Sequence, residues 1–241
     1  MRFLILSVLA AAPSAASFTA LDAQVISDSR SFPSRFQAGV DIVVSQPKGE
    51  FATNVGNGYG LNANGMIRLD PGGYLSIRGD IGTVTYGRET ERIPYMPYSG
   101  RVNLELETTN NIAWGSIGGQ LQIPDGWVRP YASAAIAYTN FSTSSTLSDE
   151  SYEYASRDNL NDGSRAYIFG GGVVIPFGNR YSLGGINLGA RYYYGGRATY
   201  LREGDIIDNP DGTITLNPRN SKTDLVLWQL GFSLVLPRSW N

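Results

Sequence analysis

Cysteine and histidine are both absent from the 241 residues. Without cysteine there is no disulfide framework and no lipid-modified N-terminal cysteine. Without histidine, no Ser–His or Asp–His pair can be assembled for catalysis. Lysine occurs only as Lys48 and Lys222, so the Lys/Glu-rich solvent faces of an ordinary soluble β-protein are missing. A formal charge of −2 offers no field that would gather nucleic acid or an acidic substrate. Beyond the N-terminus, no apolar run is long enough to cross a bilayer as a helix, which leaves membrane crossing to strands.

What is present begins with Met1-Arg2, an apolar run from Phe3 to Ala12 and then small residues. This order predicts a secretory signal peptide over 1–23, with cleavage after Ala16 as the competing site. Residues 24–241 then form one domain. Their connectors alternate in length. Tight junctions at Asp70-Pro71-Gly72-Gly73, Pro124-Asp125-Gly126 and Phe177-Gly178-Asn179-Arg180 take turns with long polar ones at 46–58, 88–100, 142–164 and 196–221. Three turns and four loops join eight strands, the connectivity of a small membrane barrel with turns in the periplasm and loops outside.

Successive side chains of a strand point to opposite faces, so each segment divides by parity. Phe36, Ala38, Val40, Ile42 and Val44 oppose Gln37 and Asp41; Leu61, Ala63, Ile67 and Leu69 oppose Asn62, Asn64 and Arg68. Leu75, Ile77 and Ile81 oppose Ser76, Arg78 and Asp80, and Ala113, Ile117, Leu121 and Ile123 oppose Ser116, Gln120 and Gln122. The second half repeats the pattern around 128–138, 167–177, 186–194 and 226–236. No Asp, Glu, Lys or Arg falls on an apolar set. A soluble lipocalin-like barrel would place the apolar set inside, and a membrane barrel does the reverse. The polar set is small and hydrogen-bonding, as a closed interior needs. Aromatics also gather at both strand ends: Phe36, Trp127, Phe177 and Tyr181 at the turns, and Tyr59, Tyr86, Tyr138, Phe141, Tyr192 and Tyr194 at the loops. Both features favour the membrane. Residues 101–108 alternate with the opposite parity to 113–123, which predicts a bulge near Thr108–Asn111 in a fourth strand; a ninth strand is the alternative.

With its signal peptide, eight strands, short turns and long loops, the chain resembles the small outer-membrane β-barrel proteins of Gram-negative bacteria, the OmpA/OmpX/OmpW-like group. Phrases such as Gly189-Ala190-Arg191-Tyr192 and Tyr200-Leu201-Arg202-Glu203-Gly204 are similar to those of uncharacterised barrels. The C-terminus departs from the pattern, because Trp240 is penultimate and Pro237-Arg238 interrupts the last strand. The resemblance implies an all-β, eight-stranded, antiparallel, up-and-down transmembrane barrel in the bacterial outer membrane, a monomer surrounded by lipid and lipopolysaccharide. Barrel enzymes of this kind rely on a histidine base, so no catalytic activity and no cofactor or metal is expected here.

Candidate site residues follow from parity. Asp41, Arg68, Arg78, Asp80, Arg129 and Arg191 point inward, where an eight-stranded bore is just wide enough to be filled by side chains. They are expected to form a structural polar network, with a narrow polar pore as the alternative. Ile168, Val174, Leu225, Leu227 and Val235 are also inward. They read as packing against arginine stems, or as a pocket for a small hydrophobic solute in the OmpW-like manner. Residues 142–164 and 196–221 are the candidate recognition loops, for a protein or glycan. Within the latter, Asp205–Asp208 and Thr213–Leu216 predict a protruding hairpin around Asn209-Pro210-Asp211-Gly212.

Overall fold

The computed structural model describes residues 35–94, 103–148, 153–177, 184–209 and 214–236. The expected signal peptide, Tyr181, most of the third turn and the C-terminal Trp240 lie outside the described residues. In chain order the elements are β1 (Phe36–Pro47), α1 (Gly49–Ala52), β2 (Gly58–Arg68), β3 (Leu75–Pro94), β4 (Asn103–Gln122), β5 (Arg129–Ser148) and β6 (Glu153–Pro176). There follow β7 (Gly184–Gly195), β8 (Arg197–Tyr200), β9 (Ile206–Asp208), β10 (Ile214–Leu216), β11 (Arg219–Lys222) and β12 (Leu225–Val235).

Strands β1 to β7 and β12 close into one antiparallel barrel, each beside its sequence neighbour and β12 beside β1. The register from Phe36 passes through Ile67, Ile77, Gly119, Ala134, Phe169, Tyr192 and Val226 and returns to β1 at Gln46, ten residues along. That offset is the stagger that tilts the strands of a closed barrel. At the β2–β3 turn, Asp70 accepts from the amides of Tyr74 (3.1 Å) and Leu75 (2.6 Å). These two donors hold its carboxyl below the usual range. Gly73 completes the turn at φ 78°.

The outer face is apolar throughout the closed region. Ile42 is 62% exposed, Ile81 68% and Phe232 61%, while Asp41 on the opposite parity is fully buried. An apolar surface of this extent is stable only against hydrocarbon. Phe36, Trp127 and Phe177 face outward at the turn end, and Tyr59, Tyr138, Tyr192 and Tyr194 at the loop end. Tyr86 and Phe141, expected in that loop-end girdle, instead point inward and are buried. Phe141 lies on the inward parity of β5, and Tyr86 sits at a bulge.

That bulge corrects a second expectation. β4 is one continuous strand whose pairing with β5 runs unbroken from Glu105 to Gln122, with Leu104, Asn110, Ile112, Trp114 and Gln120 all buried on the same parity. The bulge expected at Thr108–Asn111 lies instead on the partner strand opposite Asn110 and Asn111, and no ninth strand enters the barrel among the described residues. The register shift lies in β3 between Thr85 and Gly87. The apolar set of β4 changes side because the medium changes. Below, hydrocarbon lies outside; above, water does, and Leu104 turns inward.

The long connectors are largely strand. β5 and β6 pair out to Ser148↔Glu153, so most of 142–164 is a hairpin and not a loop, and β3 and β4 pair out to Pro94↔Asn103. The hairpin expected in the last connector is present as β9 and β10, with its tip at 210–213 outside the described residues.

Leu230 faces lipid midway along β12. Replacing it with arginine is expected to lower stability by about 2–4 kcal/mol, read from denaturant unfolding out of liposomes.

Candidate functional site

Inward positions of β1, β2, β3 and β7 converge on two carboxylates. Asp80 of β3 pairs with Arg78 (2.8 Å) and with Arg191 of β7 (3.0 Å). It also accepts from Asn62 Nδ2 (3.2 Å) and Ser116 Oγ (3.4 Å). Asp41 of β1 accepts from Asn62 (3.2 Å), Asn64 (2.9 Å) and Asn187 (2.7 Å). Asn62 thus bridges the two acids. Arg78 donates onward to Gln120 Oε1 (2.9 Å), and Tyr131 donates to Asn187 Oδ1 (2.9 Å). Two carboxylates and two guanidiniums balance in charge across the bore.

Of the six candidate residues, the structure brings together Asp41, Arg78, Asp80 and Arg191. Arg68 and Arg129 face inward near the turn end of β2 and β5 and make no ion pair with Asp41 or Asp80. The amides that complete the cluster, Asn62, Asn64, Gln120 and Asn187, lay on the polar parity, and only their neutrality kept them off a list built from charges. Glycines make the space. A Cβ on Gly170 would stand 2.8 Å from Arg191 Cγ, and one on Gly172 would stand 2.7 Å from the Tyr131 hydroxyl.

Toward the extracellular end the interior becomes apolar. Val84, Ile112, Trp114, Tyr193, Leu225 and Leu227 surround a residual cavity of about 10 Å³, room for one water at most. Ile168, Leu225 and Leu227 join this aromatic and branched cluster, and Leu227 also stands opposite Arg191 in register, as expected of packing beside arginine stems. Val174 faces Arg129 in register.

Above this tier, α1 turns Phe51 into the barrel mouth. Its ring lies 5.0 Å from that of Tyr200, 5.8 Å from Phe141 and 6.3 Å from Tyr86, in edge contacts. Such burial of a phenyl ring contributes roughly 1.5–3 kcal/mol. The cap is fastened by polar contacts. Tyr86 donates to Leu201 O (2.9 Å), and Lys48 N donates to Asp224 O (2.8 Å). Glu50 accepts from Lys222 N (3.1 Å), and Asp205 pairs with Arg219 (3.1 Å) and Arg202 (3.4 Å). The Asp205 carboxylate raises the pKa of Arg219 further above its ordinary value. Parity places Phe141 and Tyr193 inside. Phe51, Tyr200 and Leu201 lie in or beside connectors, where no periodicity signals their burial.

No family model matches the chain, and no curated protein sequence does. Among solved structures it is similar to Neisserial surface protein A, at 13% identity and a TM-score of 0.45 over 84% of this chain and 98% of that one. It is also similar to Ail, the attachment invasion locus protein of Yersinia pestis, at 12% identity and a TM-score of 0.42 over 84% and 98%. A third is a major outer membrane protein from Thermus thermophilus, at 16% and 0.41 over 82% and 98%. The barrel itself stands on its closed register and its apolar outer face. The chain is a closed barrel of eight antiparallel strands whose apolar outer wall faces lipid.

Asp80 holds two guanidiniums that have no other carboxylate within ion-pair distance among the described residues. Asp80→Ala leaves both buried and uncompensated, and is expected to cost about 3–5 kcal/mol in liposome unfolding.

Proposed function

We propose that this protein is a non-conducting, non-catalytic barrel that displays a recognition surface outside the cell. The observation that carries the first half is the filled interior. A hydrogen-bonded polar cluster, an apolar tier with room for one water at most and an aromatic cap are stacked along one bore. The polar cluster, with Arg68 and Arg129 at its turn-end margin, rigidifies the wall by tying β1, β2, β3, β4, β5 and β7 together. Asp41, Arg78, Asp80 and Arg191 act here as structure. The apolar tier lacks the volume that a hydrophobic solute would need.

The second half is supported by the strands that rise past the barrel. β7 begins to pair with β6 only at Ala166, so β6 from Glu153 to Asn161 has β5 on one side and no paired strand on the other among the described residues. At the foot of the matching edge of β3, Arg88 N donates to Glu203 Oε1 (3.0 Å) and the Glu89 carboxylate accepts from Gly204 N (3.2 Å). The β6 edge is unpaired above Asp162, whose carboxylate accepts from Thr199 N of β8 (2.6 Å). An open edge offers backbone donors and acceptors to an added strand. The partner we infer is a protein or glycan met at this sheet and the β9–β10 hairpin, with lipopolysaccharide around the barrel, a single copy in the membrane and residues 1–23 removed on export.

Planar-bilayer recordings of the refolded protein should show no steady conductance; reproducible open channels would reject the plugged interior. Deleting 145–157 removes the crest of β5 and β6 and leaves the rows from Ser144↔Asp158 downward. This variant should keep heat-modifiable gel mobility and lose whatever binding the full chain shows on protein and glycan arrays. Undiminished binding would move recognition elsewhere.

A further inference from the structure

The lipid-facing wall is not evenly convex. Two adjacent register rows run obliquely across it, Ala63–Ile81–Gly115–Tyr138–Arg165 and Gly65–Gly79–Ile117–Ile136–Tyr167. Glycines at 65, 79 and 115 thin the wall between the isoleucines, and the result is an open apolar groove of about 870 Å³. It starts midway down β2 and β3 and climbs toward the extracellular rim at β6.

Arg165 stands at that upper end. Its carbonyl accepts from Gly196 N (2.9 Å), at the top of the β6–β7 pairing. Its exposed guanidinium makes no hydrogen bond or ion pair with another described residue. Tyr138 is its register neighbour, and Tyr167 pairs with Tyr194, over whose ring Lys222 Nζ lies at 5.5 Å. Two cations therefore flank a cluster of interfacial tyrosines, directly above a recess in a face otherwise bare of charge.

We propose that this groove seats one acyl chain of a phosphorylated outer-leaflet lipid of lipid A type, with a headgroup phosphate on Arg165 and within reach of Lys222. Hydrocarbon surrounds the whole barrel, so apolarity alone selects nothing. The selection comes from the pairing of a recess, which increases contact with a chain, and a guanidinium at headgroup depth, which binds a phosphate in bidentate geometry. Arg165 lines the outer end of the groove, which sets the headgroup in the outer leaflet.

The glycines allow a clean test. A Cβ on Gly65 or Gly115 meets nothing within 4 Å, and the same holds for Gly119, which lies outside the groove. Gly65→Leu/Gly115→Leu thus puts side chains into the recess at positions with room for a Cβ, and Gly119→Leu serves as the control. The full chain, refolded in detergent, is incubated with diphosphoryl lipid A or with its dephosphorylated form, and retained lipid is counted by native mass spectrometry. The wild type should retain the phosphorylated form preferentially. Filling the groove should cut retention roughly tenfold while Gly119→Leu changes nothing. Arg165→Gln should cut retention of the phosphorylated form roughly fivefold and remove the preference. Equal retention by the filled and control variants, or no preference in the wild type, would overturn the assignment. So would a protein dimer that the filled variant abolishes, because the groove would then be a contact between two copies.

Discussion

An eight-stranded wall has only two faces, and when hydrocarbon takes one of them every polar side chain must go to the other. The bore is too narrow to admit bulk water, so the carboxylates there depend on protein partners. Asp41 and Asp80 do so with Arg78, Arg191 and a set of amides. The low dielectric strengthens each of these contacts and makes any missing partner costly. Pairing of Asp80 with Arg78 and Arg191 is therefore a condition of burying these charges at mid-barrel. The inward glycines of β6 belong to the same condition, since they leave the volume that Arg191 and Tyr131 occupy.

The same rule explains why the interior changes character along its axis. Above the membrane, water replaces lipid outside the wall, and the stabilising arrangement inverts to apolar within and polar without. Leu104 and Phe141 face inward there on strands whose parity never changes. The last connector and α1 complete the inversion by folding onto the mouth, with Phe51 as the centre of an aromatic cluster. The protein is thus a membrane barrel continuous with a small water-exposed domain built from the same strands.

A lumen closed in this way leaves two surfaces on which function can act. One is the sheet above the membrane, whose β6 edge is unpaired from Glu153 to Asn161 among the described residues. The other is the lipid-facing wall, where the oblique groove meets Arg165. They face different media and different chemistry.

Alternation alone was enough to place Asp41, Arg78, Asp80 and Arg191 inside and Ile42, Leu188 and Leu230 outside, because a two-residue period maps directly onto two faces. It also gave the count of eight, through the turns at Asp70–Gly73 and Pro124–Gly126. It misassigned the parity change at 101–123, because a pattern of apolar and polar residues records which face is dry and carries no label for whether lipid or protein keeps it dry. Only the folded chain decided that Phe51 and Tyr200, distant in sequence and outside regular alternation, meet in the mouth. Only the stagger of the barrel decided that Gly65, Gly79 and Gly115 align in one groove below Arg165. Both depend on contacts between segments far apart in the chain, and those contacts are set by closure and tilt, which no local period encodes.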